Sequence, residues 1–213
     1  MRLAPKAAAG LAALRRRKLL VGLTGPIGAG KSAALEEFAR AGAFTVPTDG
    51  LARSLLTSPA GYSRISKQLG PRFLLPDGSL DRKKLAAKVF RDRTARKKLE
   101  SLLHPLIIEE TIALISRSPK KTAIIDAPLL FETRLERHLH LSICVTAPGE
   151  LRKKRCADRG WPPGEFEARE KAQLSAGEKE ARADITLDNS GSRADLRARV
   201  KTIYGFLKIT SER

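Results

Sequence analysis

Short apolar runs alternate along this chain with longer stretches whose apolar residues recur every three or four positions. The runs are Lys18–Thr24, Ala43–Val46, Thr122–Asp126, Leu141–Thr146 and Asp184–Asp188. Most are continuously apolar, without the alternation of a half-exposed strand, so they predict strands buried on both faces. Helical periodicity covers Ser32–Arg40, Gly61–Leu69, Asp81–Phe90, Ala95–Ser116, Glu150–Arg159, Glu165–Ala172 and about Arg193–Leu207. Strands separated by helices predict an α/β fold with a five-stranded parallel sheet flanked by helices.

Two helical blocks interrupt the alternation. Between the second and third strands, residues 58–119 read as helices joined by the turn signals Gly70-Pro71 and Pro76-Asp77-Gly78. In the last of these helices, Leu99, Leu102, Leu103, Leu106 and Ile107 share a face, and Pro105 is expected to kink or restart it. After the fourth strand, residues 151–175 are basic and broken by Gly160-Trp161-Pro162-Pro163-Gly164, which suits a mobile lid. The division expected is a basic extension (1–18), a core (19–57, 120–150 and 176–213), a helical insertion (58–119) and a lid (151–175).

The N-terminal 18 residues end in Arg15-Arg16-Arg17-Lys18 and contain no acidic residue, Ser or Thr. They read as a short helical or frayed extension rather than a targeting peptide. Over 213 residues the apolar fraction is 42% and the aromatic fraction 5%, so aliphatic side chains must form the core. No apolar run reaches the roughly 18 residues of a membrane helix. Cys144, in an apolar strand, reads as a small buried hydrophobe, and Cys156 as incidental; a reducing, cytoplasmic compartment is the simplest setting. The net charge of +18 invites a nucleic-acid reading, but the cations are dispersed and no aromatic stacking pattern accompanies them. Clefts for phosphorylated substrates need positive charge too.

The sharpest chemical signal is Gly25-Pro26-Ile27-Gly28-Ala29-Gly30-Lys31-Ser32, which fits G-x-x-x-x-G-K-[ST] between a strand and a helix. Glycines let the backbone curl so that successive amides face a phosphate, and Lys31 reaches the β/γ-phosphates. Ser32 is a magnesium ligand in such loops. The second strand leads into Asp49, with Arg53 one helical turn later. Asp49 is either a proton acceptor near the mouth of the loop or an N-cap, and Arg53 either a cleft cation or a surface charge. Asp126, ending the third strand, either supports Mg²⁺ or caps the next turn. His104 is either a helix-break histidine or a substrate contact.

Taken together, the loop, Asp49-Gly50-Leu51-Ala52-Arg53, Leu103-His104-Pro105-Leu106-Ile107 and Pro128-Leu129-Leu130-Phe131-Glu132 resemble the dephospho-CoA kinase family. So does the succession Arg159, Gln173, Lys179, Ala183-Asp184 and Asp188-Asn189-Ser190-Gly191, and the resemblance spans about residues 19–207. It implies a P-loop NTPase-type core with a helical substrate-binding insertion and a helical lid. The reaction implied is ATP-dependent phosphorylation of the ribose 3′-hydroxyl of dephospho-CoA, the last step of coenzyme A synthesis. ATP would be held by Gly28, Ala29, Gly30, Lys31, Ser32, Ala33 and Arg155, and Mg²⁺ by Ser32 and Asp126. Asp49, Lys31, Arg53 and Arg159 would carry catalysis, with Asp49, Arg53 and His104 on the acceptor. Neither a membrane nor a specific nucleic acid is expected as a partner.

Three departures stand out: Pro26 replaces a usual loop glycine, Ala33 a usual threonine, and Pro47 the first aspartate of a usual Asp-x-Asp. Asp49 alone can then supply that carboxylate. Two rival functions share the loop: a kinase for another small hydroxyl substrate, such as a nucleoside or nucleotide, and a basic nucleic-acid-binding NTPase.

Overall fold

A computed structural model describes residues 3–211. Five strands form one parallel sheet: β1 (Leu19–Thr24), β2 (Phe44–Pro47), β3 (Thr122–Asp126), β4 (Leu141–Thr146) and β5 (Ile185–Asp188). Their spatial order is β2-β3-β1-β4-β5, so β1 is central, with β3 and β4 as its neighbours. Every residue of β1 and β3 is buried, as the unalternating apolar runs require.

One face of the sheet is covered by α2 (Lys31–Ala41) and the C-terminal helix α10 (Arg193–Ser211). Leu19, Val21 and Leu23 of β1 join Leu35 and Phe38 of α2 and Leu196, Val200 and Leu207 of α10 in one core. The helix pair is also pinned by a buried acid. The Glu37 side chain on α2 is 1% exposed and accepts from Arg40 at 2.5 Å, Arg197 at 3.2 Å and Arg193 at 3.3 Å. Burial pushes its carboxyl up, yet hydrogen bonds from Arg193 and Arg197, with the charge of Arg40, bring it below its ordinary value. On the other side of β1, the missing side chain of Gly22 admits Leu130 and Leu139, whose methyl groups would lie 2.8–2.9 Å from an added Cβ.

The N-terminal segment takes the helical of its two expected forms. Helix α1 (Pro5–Arg15) begins at a proline, which suits the first helical turn, and buries Ala7, Leu11 and Leu14 at i, i+4, i+7 spacing. It packs against β1 and the 3₁₀ turn Leu135–His138. Met1 and Arg2 lie outside the described residues.

The chain separates into two compact units, residues 1–47 with 114–213, and residues 48–113. The second unit holds α3 (Thr48–Leu55), α4 (Pro59–Leu69), α5 (Arg82–Arg91) and most of α6 (Arg93–Arg117). Ser58 caps α4 by accepting from the Gly61 amide, and Asp81 caps α5 by accepting from the Lys84 amide. Ile65, Phe73, Leu80, Leu85, Leu99 and Leu103 form this unit's own core. Pro105 does not break α6, which runs through it. Losing one amide removes a single backbone bond, and Leu103, Leu106 and Ile108 around it are all buried.

His140 has a structural part. The Leu20 amide donates to its Nδ1 at 3.0 Å, while its own amide donates to the Leu20 carbonyl at 2.9 Å. Nδ1 accepts only when it carries no proton. Burial, with the charge of Arg15, lowers the pKa of this histidine. The unfolded chain therefore takes up a proton as pH falls through about 6.5 while the folded state does not, so this stability is complete above that pH and lost below it. Urea denaturation at pH 7.5 and 5.5 should show the parent losing more stability on acidification than His140→Asn, whose amide oxygen can still accept. Equal losses would contradict this.

Candidate active site

The loop after β1 carries the motif. Gly28 and Gly30 adopt positive φ angles of 75° and 95°, which glycine accepts without strain. Space demands glycine as well. A Cβ on Gly28 would sit 2.4 Å from the Arg152 carbonyl oxygen, and one on Gly30 would sit 2.1 Å from Nδ2 of Asn189. Lys31 opens α2, and its ammonium donates back to the Gly25 carbonyl at 2.9 Å and the Pro26 carbonyl at 3.4 Å. Pro26 thus costs the loop one amide but still contributes an acceptor.

What aims the loop is a set of side chains from later in the chain. Arg152, on α7 (Gly149–Ala157), is 5% exposed. Its guanidinium donates to the Ile27 carbonyl at 3.1 Å, the Ala147 carbonyl at 3.1 Å and Glu170 at 2.7 Å. Asn189, just beyond β5, donates to the Ala29 carbonyl at 2.7 Å, and Arg155 approaches the same oxygen at 3.5 Å. Arg155 also donates to the Asn189 carbonyl at 2.9 Å. Among the described residues every peptide is trans. Across a trans peptide the N–H points opposite to the C=O. Pinning Ile27 and Ala29 by their oxygens therefore turns the amides of Gly28 and Gly30 away from α7 and the β5 turn, as a phosphate cradle requires. The start of α2 adds its positive dipole end.

Arg155 and Arg159 meet the loop at a cavity of about 340 Å³ lined also by Gly30, Ala33, Asn189 and Gly191. With Ala33 in place of a larger polar residue, that wall is small and apolar.

Asp126 ends β3 and is 7% exposed. It pairs in register with Leu23, and the following amide, of Ala127, donates to the Leu23 carbonyl at 2.9 Å. This sets a carboxylate beside the strand that feeds the loop, the Walker B arrangement. Ser32, the second residue of α2, is exposed. Hydroxyl and carboxylate are hard oxygen donors, and among the described residues no group of three or more His, Cys, Asp or Glu could cage a metal. A cation that keeps several waters and shares phosphate oxygens, as Mg²⁺ does, fits such a sparse donor set.

The acceptor-side candidates lie in the second unit. Asp49 falls in the first turn of α3, inside the helix rather than at its N-cap, with Arg53 on the same face four residues later. Both are exposed. His104 is half-buried on α6, and burial lowers its pKa.

Both cysteines are buried, and burial pushes the Cys144 thiol up to about 11, which keeps it protonated and inert. Cys156, read as incidental, packs inside α7 with 1% exposure.

Sequence reasoning did not single out Arg152, and named Asn189 only as part of a pattern. Arg152 is one cation among Arg152-Lys153-Lys154-Arg155, and nothing local marks it as the buried one.

A strand-fed glycine loop at the centre of this sheet, with a buried carboxylate on the neighbouring strand, defines a P-loop phosphotransferase. The sequence profile of the dephospho-CoA kinase family matches residues 19–195. A dephospho-CoA kinase from Frankia casuarinae is 39% identical over 186 residues, covering 86% of this chain and 81% of its own length. The crystal structure of TT1252 from Thermus thermophilus superposes with a TM-score of 0.77 at 34% identity, covering 90% of this chain and 98% of that one. A dephospho-CoA kinase from Campylobacter jejuni superposes with a TM-score of 0.61 at 26% identity over the same shares. Mycobacterial relatives of the same name are longer, and this chain spans 46% of their length. The chain belongs to the dephospho-CoA kinase family.

The pinned loop leads to a direct expectation. Gly30→Ala should lower ATP affinity at least about tenfold, because its Cβ displaces Asn189 and releases the Ala29 carbonyl. Gly177→Ala, which meets nothing within 4 Å, should bind as the parent does. Calorimetric titration with ATP distinguishes them, and equal affinities would refute the pinning.

Proposed function

We propose that this chain transfers the γ-phosphoryl group of ATP to the ribose 3′-hydroxyl of dephospho-CoA, giving coenzyme A and ADP. The observation that carries the reading is the loop itself, with the Ile27 and Ala29 carbonyls held from outside by Arg152, Asn189 and Arg155. A cradle set in advance provides positioning and charge, which phosphoryl transfer needs more than covalent chemistry.

In this reading the amides from Gly28 to Ala33, with Lys31, hold the β/γ-phosphates. The nucleoside side of ATP lies toward the cavity of Arg155 and Asn189, where Arg155 contacts the nucleotide. Asp49 accepts the proton of the 3′-hydroxyl as its oxygen bonds to the γ-phosphorus, and the bond from that phosphorus to the β-phosphate bridging oxygen breaks to release ADP. Arg53 and Arg159 stabilise the charge on the group in flight. Ser32 and Asp126 would hold Mg²⁺, which when bound neutralises charge on the β/γ-oxygens. Residues 48–113 hold the acceptor, with His104 among its contacts, and residues 151–175 act as the lid.

Chain order supports the part given to Asp49. It follows the end of β2 by two residues, and Pro47 there pairs with Asp126. Ligands of parallel α/β sheets bind beyond the carboxyl ends of the strands. A cytoplasmic setting belongs to the same reading; among the described residues no helix is long and apolar enough to cross a membrane.

Asp49→Asn keeps the size of the side chain and removes the proton acceptor. Turnover of dephospho-CoA should fall by about 10²–10⁴-fold. The ATP dissociation constant, read by titration without acceptor, should stay within about twofold, since Asp49 is given no contact with the nucleotide. Parent-level turnover in this variant would remove Asp49 from the mechanism.

A further inference from the structure

Lys179 is a fully buried cation, and its surroundings show what holds it there. It lies on α9 (Ala176–Arg182), the short helix after the lid, and its side chain has 0% exposure. The ammonium donates to the Pro128 carbonyl at 2.7 Å and Oε1 of Gln173 at 2.9 Å, and pairs with Oε1 of Glu132 at 3.2 Å. A buried ammonium persists only when its donors are engaged and its charge is matched. Two acceptors take protons from it, and the Glu132 carboxylate matches its charge.

The acceptors come from two segments, Pro128 and Glu132 from the stretch after β3 and Gln173 from the end of residues 151–175. Pro128 lies two residues beyond Asp126, and its carbonyl also accepts from the Thr24 hydroxyl at 3.3 Å, at the residue where β1 enters the phosphate loop. Gln173 is the last stretch of the lid before it rejoins the core. Glu132 binds that same stretch, because its Oε1 also accepts from the Leu174 amide at 3.0 Å. The other oxygen of Glu132 is buried with no hydrogen-bond partner among the described residues, and the ammonium of Lys179 matches the charge of this carboxylate. The start of α9 is itself fixed by a capping box between Ser175 and Glu178, and its far end places Arg182 over the Phe131 ring at 4.8 Å.

We propose that Lys179 is a positioning residue for phosphoryl transfer. It ties the point where the lid rejoins the core to the loop that follows Asp126, so the lid and the magnesium-side carboxylate are set together. The proposal rests on the assignment of Asp126 to Mg²⁺ and of residues 151–175 to the lid. Lys179 touches neither substrate nor metal in it and acts through Pro128 and Glu132. Residues that orient a metal ligand from outside typically alter metal affinity or activity by about 10–100-fold.

The test separates positioning from mere stability. Lys179→Met alone leaves the half-buried Glu132 carboxylate without its counter-charge and is expected to be less stable. The double variant Lys179→Met/Glu132→Gln removes both charges and should recover a melting temperature near the parent's. ATP affinity is then measured by calorimetry with EDTA and with excess Mg²⁺. The proposal predicts metal-free affinity close to the parent's, with the gain on adding Mg²⁺ smaller by about tenfold or more. Should the double variant not fold, Gln173→Ala, which leaves the ion pair intact, should show a smaller loss in the same direction. A folded variant with the parent's full Mg²⁺ gain would overturn the proposal, as would equal losses with and without the metal. These titrations contain no acceptor, so their outcome is independent of whether dephospho-CoA is the substrate; parent turnover of dephospho-CoA, run beside them, tests that separately.

Discussion

A trans peptide cannot turn its carbonyl without turning the next amide the opposite way, and the candidate active site depends on that constraint. The amides of a phosphate loop must converge on one hollow, so its carbonyls must be held elsewhere. Here Arg152 takes the Ile27 carbonyl and Asn189 the Ala29 carbonyl, from α7 and from the turn after β5. These residues lie 125 and 160 positions from their partners in the chain. The cradle is therefore a product of the whole sheet. The order β2-β3-β1-β4-β5 places β4 beside β1 and β5 beyond it, bringing α7 and the β5 turn to the loop. The glycines at 28 and 30 leave the space into which Arg152 and Asn189 fit.

Charge, which by composition suggested nucleic acid, acquires a second meaning in the fold. The cations that matter most here are the buried ones, and each has partners of matching charge and polarity: Arg152 two carbonyls and Glu170, Lys179 a carbonyl, an amide oxygen and Glu132. Glu37 inverts the pattern, one buried acid gathering three arginines to fix α10 on the helix that the loop opens. Desolvation offsets most of the attraction of such buried ions, while removing one partner leaves the other charge uncompensated.

The strands were legible because burial on both faces leaves an unbroken apolar run. Thr122–Asp126 and Leu141–Thr146 match the expected bounds, β1 and β5 differ by a residue at one end, and β2 is shifted by one residue. The loop was legible because its chemistry lies in consecutive residues. What escaped depends on distant partners. Helix α1 is the helical form of the expected extension, but its alanine-rich sequence shows little contrast between faces and does not mark Ala7, Leu11 and Leu14 as buried. Pro105 could restart the helix by its missing amide, yet α6 continues through it. Arg152 and Lys179 resemble every other cation in their helices until the fold supplies a carbonyl or carboxylate to each.

The central claim is that this pinned loop serves one acceptor hydroxyl, the 3′-hydroxyl of dephospho-CoA. The most direct measurement offers the protein ATP and Mg²⁺ with an equimolar mixture of dephospho-CoA, adenosine, AMP and pantetheine phosphate, and follows the products by phosphorus–proton correlation NMR. The account predicts a new phosphomonoester coupled to the ribose 3′ proton of dephospho-CoA, growing in step with ADP, while the other acceptors stay unmodified. Phosphate on adenosine or AMP instead, or ADP formed with no phosphorylated acceptor, would contradict it.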